Sequence, residues 1–154
     1  MSLIQELEDY LKQKVPMIDY AGLVIVTLNM DQSIVKICLT PQNKNHLNSM
    51  YFGSLAIGAD AAGGLLPLYQ IKQQKINSTV VFKDFKANFI RRPESDVYFV
   101  CNEGVKVHQA LMETVATKQR INFPVNVVAV LDPKDLSEPV ATFILTVSVK
   151  CVDL

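Results

Sequence analysis

The stretch NHLNSMYFGSLAIGADAAGGLLPLY, residues 45–69, decides the fold. Its apolar centre is rich in glycine and alanine, and it predicts a buried helix over residues 50–69, with Pro67 near the C-terminal end. Each glycine inside a helix costs about 0.5–1 kcal/mol relative to alanine, so tertiary packing must outweigh that cost. The small side chains therefore predict that a sheet curls closely around this central helix.

Asp60 is the single carboxylate of this stretch. An acid in an apolar setting must be paired, hydrogen-bonded or neutralised, because burying a free charge is costly. Asp60 could therefore be a salt-bridged structural acid. It could also be a base or a nucleophile whose pKa is raised by burial.

Gly53 lies seven residues before Asp60, on the same helix face and about 10.5 Å away along the axis. In the first turn, backbone N–H groups lack helical partners and can hold a developing oxyanion. The two groups are too far apart to share one substrate atom. We therefore hypothesise that a dimer brings the acid of one protomer to the helix start of the other.

The rest of the chain predicts one α+β domain over residues 1–154. Helical spacing predicts an N-terminal helix in residues 1–15 and an additional helix in residues 104–120. Runs rich in β-branched residues predict antiparallel strands, mostly joined locally, around the central helix. These strands are expected at residues 22–29, 33–40, 78–90, 95–102, 122–132 and 139–152.

Composition excludes several classes of function. Fifteen basic residues balance fifteen acidic ones, so no basic face for nucleic acid is expected. The three cysteines have no CxxC spacing, and we expect buried reduced thiols. With two histidines and no metal-binding motif, no metal site is expected. We find neither a signal peptide nor an apolar run long enough to cross a membrane, and we expect a cytoplasmic protein.

A longer motif surrounds Gly53 and Asp60. Asn45 begins the run NHLNSMYFG, which ends at Gly53, and Asp60 follows after six further residues. This pattern resembles that of hotdog-fold thioesterases, N-x-x-G-x-x-H-G-G followed by six residues and an acid. The segment FKANFIRRP, residues 85–93, is similar to a strand of that family that ends in a basic residue and proline. The resemblance covers about residues 20–152, within the broad class of phenylacetate-degradation-type and 4-hydroxybenzoyl-CoA thioesterases.

The resemblance implies a hotdog fold, a curled antiparallel β-sheet wrapped around a long central helix, in a homodimer or homotetramer. It implies hydrolysis of an acyl-CoA or acyl-carrier-protein thioester without a metal or cofactor. The Gly53 amide would polarise the carbonyl, Asp60 would attack it or activate water, and Asn45 would orient the water or the carbonyl. The residues implied to bind substrate are His46, Tyr51, Phe52, Arg91 and Arg92, with the arginines near pantetheine or nucleotide phosphates.

The chain also departs from the family pattern. Asn48 replaces a glycine, and Tyr51 and Phe52 replace the histidine and the first glycine of the H-G-G sequence. Phe52 adds a ring beside the Gly53 amide, which could narrow the pocket or block the oxyanion position. A dehydratase on this fold would need a histidine base at the helix start, and this chain has none there.

Two functions therefore remain open: a thioester hydrolase, or a non-catalytic acyl-binding or interaction module in which Asp60 is structural. They differ in whether the Gly53 amide opens into a pocket that Asp60 can also reach. If the chain is a hydrolase, an acyl tunnel favouring medium or long chains could be lined by Phe52, Leu65, Leu66 and Leu68.

Overall fold

The computed structural model describes residues 1–152. The helices are α1 (Leu3–Lys14), α2 (Pro16–Ala21), α3 (Phe52–Gln74) and α4 (Gly104–Thr117). The strands are β1 (Leu23–Leu28), β2 (Ser33–Ile37), β3 (Ser78–Phe89), β4 (Val97–Cys101), β5 (Ile121–Val130) and β6 (Ala141–Cys151).

The six strands form one antiparallel sheet in the order β1-β2-β4-β5-β6-β3. The long helix α3 packs against this sheet, and its buried side chains join those of the strands in a single large hydrophobic core. The predicted architecture, a curled antiparallel sheet around a central helix, is confirmed. Because β3 is at one end of the strand order, it pairs only with β6 and leaves its other edge open among the described residues.

A bulge in β3 turns extra aromatic side chains toward the helix side. The register with β6 shifts between Phe82 and Asp84. Residues on one face of a strand normally alternate, so without the bulge Phe82 and Phe85 would point to opposite faces. With it, Phe82 lies opposite Val147 and Phe85 opposite Leu145, and both of these β6 residues belong to the core.

The glycines of α3 allow close packing, as the composition predicted. A Cβ atom built on Gly58 would lie 2.3 Å from the ring of Phe99, so only glycine fits against this core ring. A Cβ on Gly63 would instead make ordinary contacts, the nearest at 3.5 Å from Val125. The packing therefore requires glycine at position 58, whereas position 63 has room for a Cβ atom.

The central helix is longer than predicted. It continues past the internal Pro67 to Gln74, five residues beyond the expected end at residue 69. Gln70 stabilises the added turn, because its buried amide group donates hydrogen bonds to the carbonyl oxygens of Met30 and Gly104, both at 2.9 Å. Tertiary anchoring of Gln70 thus overrides the local signal to stop that proline provides.

The N-terminal region contains a second helix that the sequence did not suggest. Ser2 caps α1 by accepting a hydrogen bond from the Gln5 amide at 3.2 Å, as its position predicts. We expected one helix in residues 1–15, but Pro16, which follows it, begins α2, at a position where a missing N–H costs nothing. Helix α2 then lies beside the start of α3, so it belongs to the surroundings of the candidate site.

The three cysteines are unpaired thiols, as expected for reduced residues. Cys101 is fully buried, and burial raises its pKa to about 12, which makes the thiol unreactive. Cys38 and Cys151 are only half-buried, so the expectation of burial was wrong for these two. Both lie at or beyond strand ends, where the sheet no longer covers them.

Candidate active site

Asp60 lies midway along α3 in a cavity of about 220 Å³. Its carboxylate is half-buried and forms no hydrogen bond or ion pair with any residue from 1 to 152. Burial raises the pKa of the Asp60 carboxyl above its ordinary value of 3.8. The interpretation of Asp60 as a salt-bridged or hydrogen-bonded structural acid therefore lacks the partner it requires, and the group is available to a ligand.

Gly53 lies in the first turn of α3 and opens into a different pocket. This pocket has a volume of about 620 Å³ and is bounded on its far side by residues of α2, among them Met17 and Tyr20. Within residues 1–152, the amide groups of Phe52 and Gly53 have no hydrogen-bond acceptor. No side chain caps the helix, so its positive end faces this pocket.

The Tyr51 ring lies against Gly53, whereas Phe52, which we expected to narrow the pocket at the Gly53 amide, is not among the residues that line this pocket. A Cβ atom built on Gly53 would lie 2.2 Å from the Tyr51 ring. Phe52 instead turns outward, 59% exposed, and its ring contacts those of Tyr51 and Phe89 at centroid distances of 4.9 and 5.8 Å. Tyr51 is the N-cap residue and has an extended backbone (ψ 136°), whereas Phe52 begins the helix, so the two side chains leave the chain in different directions.

Asn45 organises the loop before α3. Its side-chain oxygen accepts hydrogen bonds from the Leu47 amide, the Ser49 amide and the Ser49 hydroxyl, at 2.9 to 3.2 Å. This is the structural Asx-type role that asparagine often has in loops. Its side-chain nitrogen donates no hydrogen bond within residues 1–152, so one polar group remains for a ligand. The neighbouring His46 is exposed.

A third pocket, of about 180 Å³, contains Asn45 and Phe52 together with the predicted arginines. Arg91 is already engaged, because its guanidinium donates a hydrogen bond to the carbonyl oxygen of Glu138 at 2.7 Å. Arg92 is exposed and makes no ion pair or hydrogen bond within residues 1–152. Of the two, Arg92 is the cation that is free to meet a phosphate.

All predicted site residues except the exposed His46 thus line three neighbouring pockets of one protomer. Asp60 is in the first, Gly53 and Tyr51 are in the second, and Asn45, Phe52, Arg91 and Arg92 are in the third. All three lie along α3 or at its start. Gly53 and Asp60 do not share any of the five main pockets formed by residues 1–152.

Only two of the four residues that we expected to line an acyl tunnel lie together. Leu65 and Leu68 line the Asp60 cavity, but Leu66 is fully buried in the core and Phe52 belongs to another pocket. Leu66 follows Leu65 by about 100° around the helix, and that rotation turns it toward the sheet.

Sequence reasoning missed Asn43, a buried polar residue that holds the start of α3 in place. Its side-chain nitrogen donates to the carbonyl oxygens of Ala21 and Cys38, at 3.1 and 2.7 Å, and its backbone carbonyl accepts from the Tyr51 amide at 2.8 Å. It therefore ties the end of α2 and the end of β2 to the N-cap of α3. A cluster of asparagines before a helix was the available signal.

Two further features concern the whole described chain. None of the helices in residues 1–152 combines the length and the apolarity that crossing a bilayer would take. The same residues contain no group of three or more His, Cys, Asp or Glu side chains arranged to hold a metal ion.

Solved structures with the same fold include several proteins described as thioesterases. Protein PA5026 from Pseudomonas aeruginosa, described as a "Probable Thioesterase", is 21% identical, with 99% of each chain covered and a TM-score of 0.80. A "putative thioesterase" from Shewanella oneidensis is 14% identical over 97% of this chain and 98% of that chain, with a TM-score of 0.82. Thioesterase HI1161 from Haemophilus influenzae is 14% identical over 98% and 92%, with a TM-score of 0.71.

These likenesses show that the fold is the hotdog fold of thioesterases, as the sequence resemblance implied. No curated protein matches the chain significantly. Residues 4–145, most of the chain, match the family YiiD_C, described as "Putative thioesterase (yiiD_Cterm)". The protein belongs to this family.

Proposed function

We propose that this protein hydrolyses acyl thioesters of coenzyme A or acyl carrier protein, in a site shared by two protomers. The observation that carries the proposal is Asp60, a half-buried carboxylate that has no protein partner within residues 1–152 and borders an apolar cavity. An unpaired acid in such a place has a raised pKa and costs stability, which is typical of functional groups.

Asp60 would act as the general base. The carboxylate takes a proton from water while the water oxygen bonds to the thioester carbonyl carbon. The tetrahedral oxyanion then collapses, the carbon–sulfur bond breaks, and the leaving thiolate takes the proton. A base works best when its pKa approaches the working pH, and burial moves the pKa of Asp60 in that direction. Alternatively, the Asp60 carboxylate itself attacks the carbonyl carbon, the carbon–sulfur bond breaks to release the thiolate, and water then hydrolyses the mixed anhydride to the free acid and Asp60.

The start of α3 would hold the oxyanion. The Phe52 and Gly53 amides have no acceptor within residues 1–152, and Gly53 has no side chain to cover them. Two preorganised N–H donors at a helix start are suited to stabilise charge that develops in a transition state. Asn45, in the loop just before, has a free side-chain N–H group for the carbonyl or the water.

The open edge of β3 supports a dimer. This 12-residue strand is exposed along most of its length, and Phe85 and Phe89 on its helix side are 42% and 45% exposed. Long edge strands with exposed apolar residues pair readily with a second copy. Antiparallel pairing of two β3 edges around a two-fold axis would give the free backbone N–H and C=O groups hydrogen-bond partners, and it would cover both phenylalanines.

Such a dimer would join Gly53 of one protomer with Asp60 of the other. In one protomer, α3 and β3 run in opposite directions, since Phe52 contacts Phe89 and Gly64 packs near Phe82. A two-fold axis at the middle of β3 places the Phe89 end of one strand beside the Phe82 end of its partner. The helix start of each protomer then approaches the Asp60 cavity of the other. Homotetramers would follow from association of two such dimers.

Arg92 would bind the carrier part of the substrate. It is exposed, it has no protein partner within residues 1–152, and it shares a pocket with Asn45 and Phe52 at the start of α3. A free guanidinium there can contact a phosphate of coenzyme A or of a phosphopantetheine group.

The test offers the protein acyl-CoA and acyl-carrier-protein thioesters of several acyl types. Hydrolysis is measured as the release of free thiol. The wild type and Asp60→Asn are compared, with Glu113→Gln as control because Glu113 is an exposed acid on α4. We expect turnover in the wild type and in Glu113→Gln, and a loss of about 10²–10⁴ in Asp60→Asn.

The alternative function is a non-catalytic acyl-binding module, which the Tyr51 ring packed against Gly53 favours. Absence of turnover with all thioesters, together with binding of an acyl-CoA by the wild type, would support that alternative. Full activity of Asp60→Asn would contradict the assigned role of Asp60 even if the protein is a hydrolase.

A further inference from the structure

The cavity that contains Asp60 is built from three separate parts of the chain. One wall is α3, with Gly64, Leu65 and Leu68, and a second wall is the first half of β3. The roof comes from the N-terminal region, where Val15 joins α1 to α2. No residue of this roof lies in the loop-helix motif that begins at Asn45, so motif analysis could not have identified it.

We propose that this cavity receives the acyl tail of the thioester and selects an uncharged, apolar tail of about six to eight carbon atoms. This inference rests on the proposed function, in which Asp60 acts at the acyl carbonyl and the tail extends beyond it. The volume supports the length, since the cavity measures about 220 Å³. An engineered apolar cavity of about 150 Å³ holds a benzene molecule of six carbons.

The lining explains why the tail must be uncharged and apolar. Asp60 is the one ionisable residue among the residues that line the cavity, and the others are aliphatic residues, glycine and Phe82. A polar tail would lose its water without gaining a hydrogen bond there. A second carboxylate, as in a dicarboxylic acyl group, would meet the charge of Asp60 with no cation beside it.

Gly64 and Phe82 set the depth of the cavity. A Cβ atom built on Gly64 would lie 3.3 and 3.5 Å from two atoms of the Phe82 ring. Because this ring is partly exposed, a small shift of it accommodates the methyl group, which then fills the space between helix and strand. Alanine at this position should therefore shorten the accepted tail without unfolding the protein.

Gly63 provides a matched control. It is the adjacent residue of the same helix turn, and a Cβ atom there would make ordinary contacts with Val125, Leu145 and Val127, on the sheet side of α3. Gly63→Ala and Gly64→Ala gain the same helix propensity, but only the second places a methyl group toward the Asp60 cavity.

A substitution at Val15 can enlarge the cavity. It lines the roof and is 41% exposed, so Val15→Ala removes two methyl groups from the cavity wall without creating a void in the core. This variant should accept longer tails than the wild type.

The experiment measures kcat/KM for straight-chain acyl-CoA thioesters from two to twelve carbons. We expect a maximum at about six to eight carbons in the wild type. Gly64→Ala should lower the ratio of eight-carbon to four-carbon activity about tenfold, and Val15→Ala should shift the maximum by about two carbons upward. Gly63→Ala should keep the wild-type profile. Equal profiles for Gly63→Ala and Gly64→Ala, or a profile that is flat with chain length, would overturn the inference while leaving hydrolysis intact.

A binding measurement separates this inference from the proposed function. Asp60→Asn and the double variant Asp60→Asn/Gly64→Ala are titrated with butanoyl-CoA and octanoyl-CoA by calorimetry. Weaker binding of octanoyl-CoA alone in the double variant supports the tail pocket even if no thioester is hydrolysed. Unchanged binding of both ligands overturns it.

Discussion

Gly53 and Asp60 lie seven residues apart on one face of α3, yet they line different pockets of the protomer. A helix rises 1.5 Å per residue, so about 10.5 Å separates them along the axis. No rotation of side chains can bring a backbone amide and a carboxylate together over that distance on a rigid helix. If both groups act on one thioester, they must come from different protomers.

The first prediction is that two inactive variants restore each other in a mixed dimer. Gly53→Ala should be inactive, because its new Cβ would overlap the Tyr51 ring and force that ring to move within the pocket that the oxyanion would enter. Asp60→Asn should be inactive because it lacks the base. When the two are denatured and refolded together, half of the dimers are mixed and each has one intact site, so about a quarter of the wild-type activity should return.

The control for this complementation is each variant refolded alone at the same total concentration. A site contained within one protomer would give no recovery on mixing, and that result would rule out the shared site. Size-exclusion chromatography must show the same oligomer for both variants.

The second prediction is that Asp60→Asn is more stable than the wild type near neutral pH. Asparagine has nearly the same shape and removes a half-buried charge that no residue from 1 to 152 pairs with. Thermal unfolding should show a rise in melting temperature of about 2–4 °C, which corresponds to about 1 kcal/mol for a chain of this size. A lower melting temperature would mean that the carboxylate has a stabilising partner.

The third prediction concerns pH. Burial raises the pKa of Asp60 above 3.8, so the folded state binds its proton more tightly than the unfolded state does. The free energy of unfolding is therefore highest, as far as Asp60 is concerned, below about pH 3.8, where Asp60 is protonated. It falls as the pH rises through the raised pKa and the buried carboxyl group ionises. The higher stability of Asp60→Asn should therefore disappear in acid. As the pH rises through the pKa of Asp60, the wild-type kcat/KM should increase because the base ionises. Unfolding curves and rates measured from pH 3.5 to 8 check both trends.

The fourth prediction separates the two arginines. Arg92→Ala should raise KM for an acyl-CoA several-fold, and added salt should reduce the difference, because an exposed guanidinium attracts phosphate through a screened charge. KM for the same acyl group on a thiol without phosphate should not change. Arg91→Ala should instead lower stability slightly, since it removes the 2.7 Å hydrogen bond to Glu138. A KM effect on the phosphate-free thioester would contradict the phosphate role.

The fifth prediction tests the packing of the central helix. Gly58→Ala should destabilise the fold by about 1–3 kcal/mol, because its Cβ would lie 2.3 Å from the buried Phe99 ring. Gly63→Ala, whose Cβ would make ordinary contacts, should be neutral or stabilising. Urea unfolding measures both. Equal stabilities would show that the core relaxes around Phe99.

Much of the fold could be predicted from local patterns. The small residues of the central helix require a closely packed sheet, and β-branched runs separated by turn residues form its antiparallel strands. Helix limits were harder, because the end of α3 depends on Gln70 and its hydrogen bonds to residues 30 and 104, which are distant in sequence. The helix α2 was missed because a proline that ends one helix can equally begin the next.

The candidate site divides in the same way. The sequence by itself determined that Asp60 would be an isolated acid on an apolar helix, seven residues after a glycine at the helix start. Only the tertiary structure decided that Asp60 has no protein partner within residues 1–152, that the Tyr51 ring lies against Gly53 while Phe52 lines another pocket, and that N-terminal residues roof the Asp60 cavity. The physical reason is that helical spacing is set by the local backbone, whereas the partners of a side chain are set by segments that meet only when the chain folds.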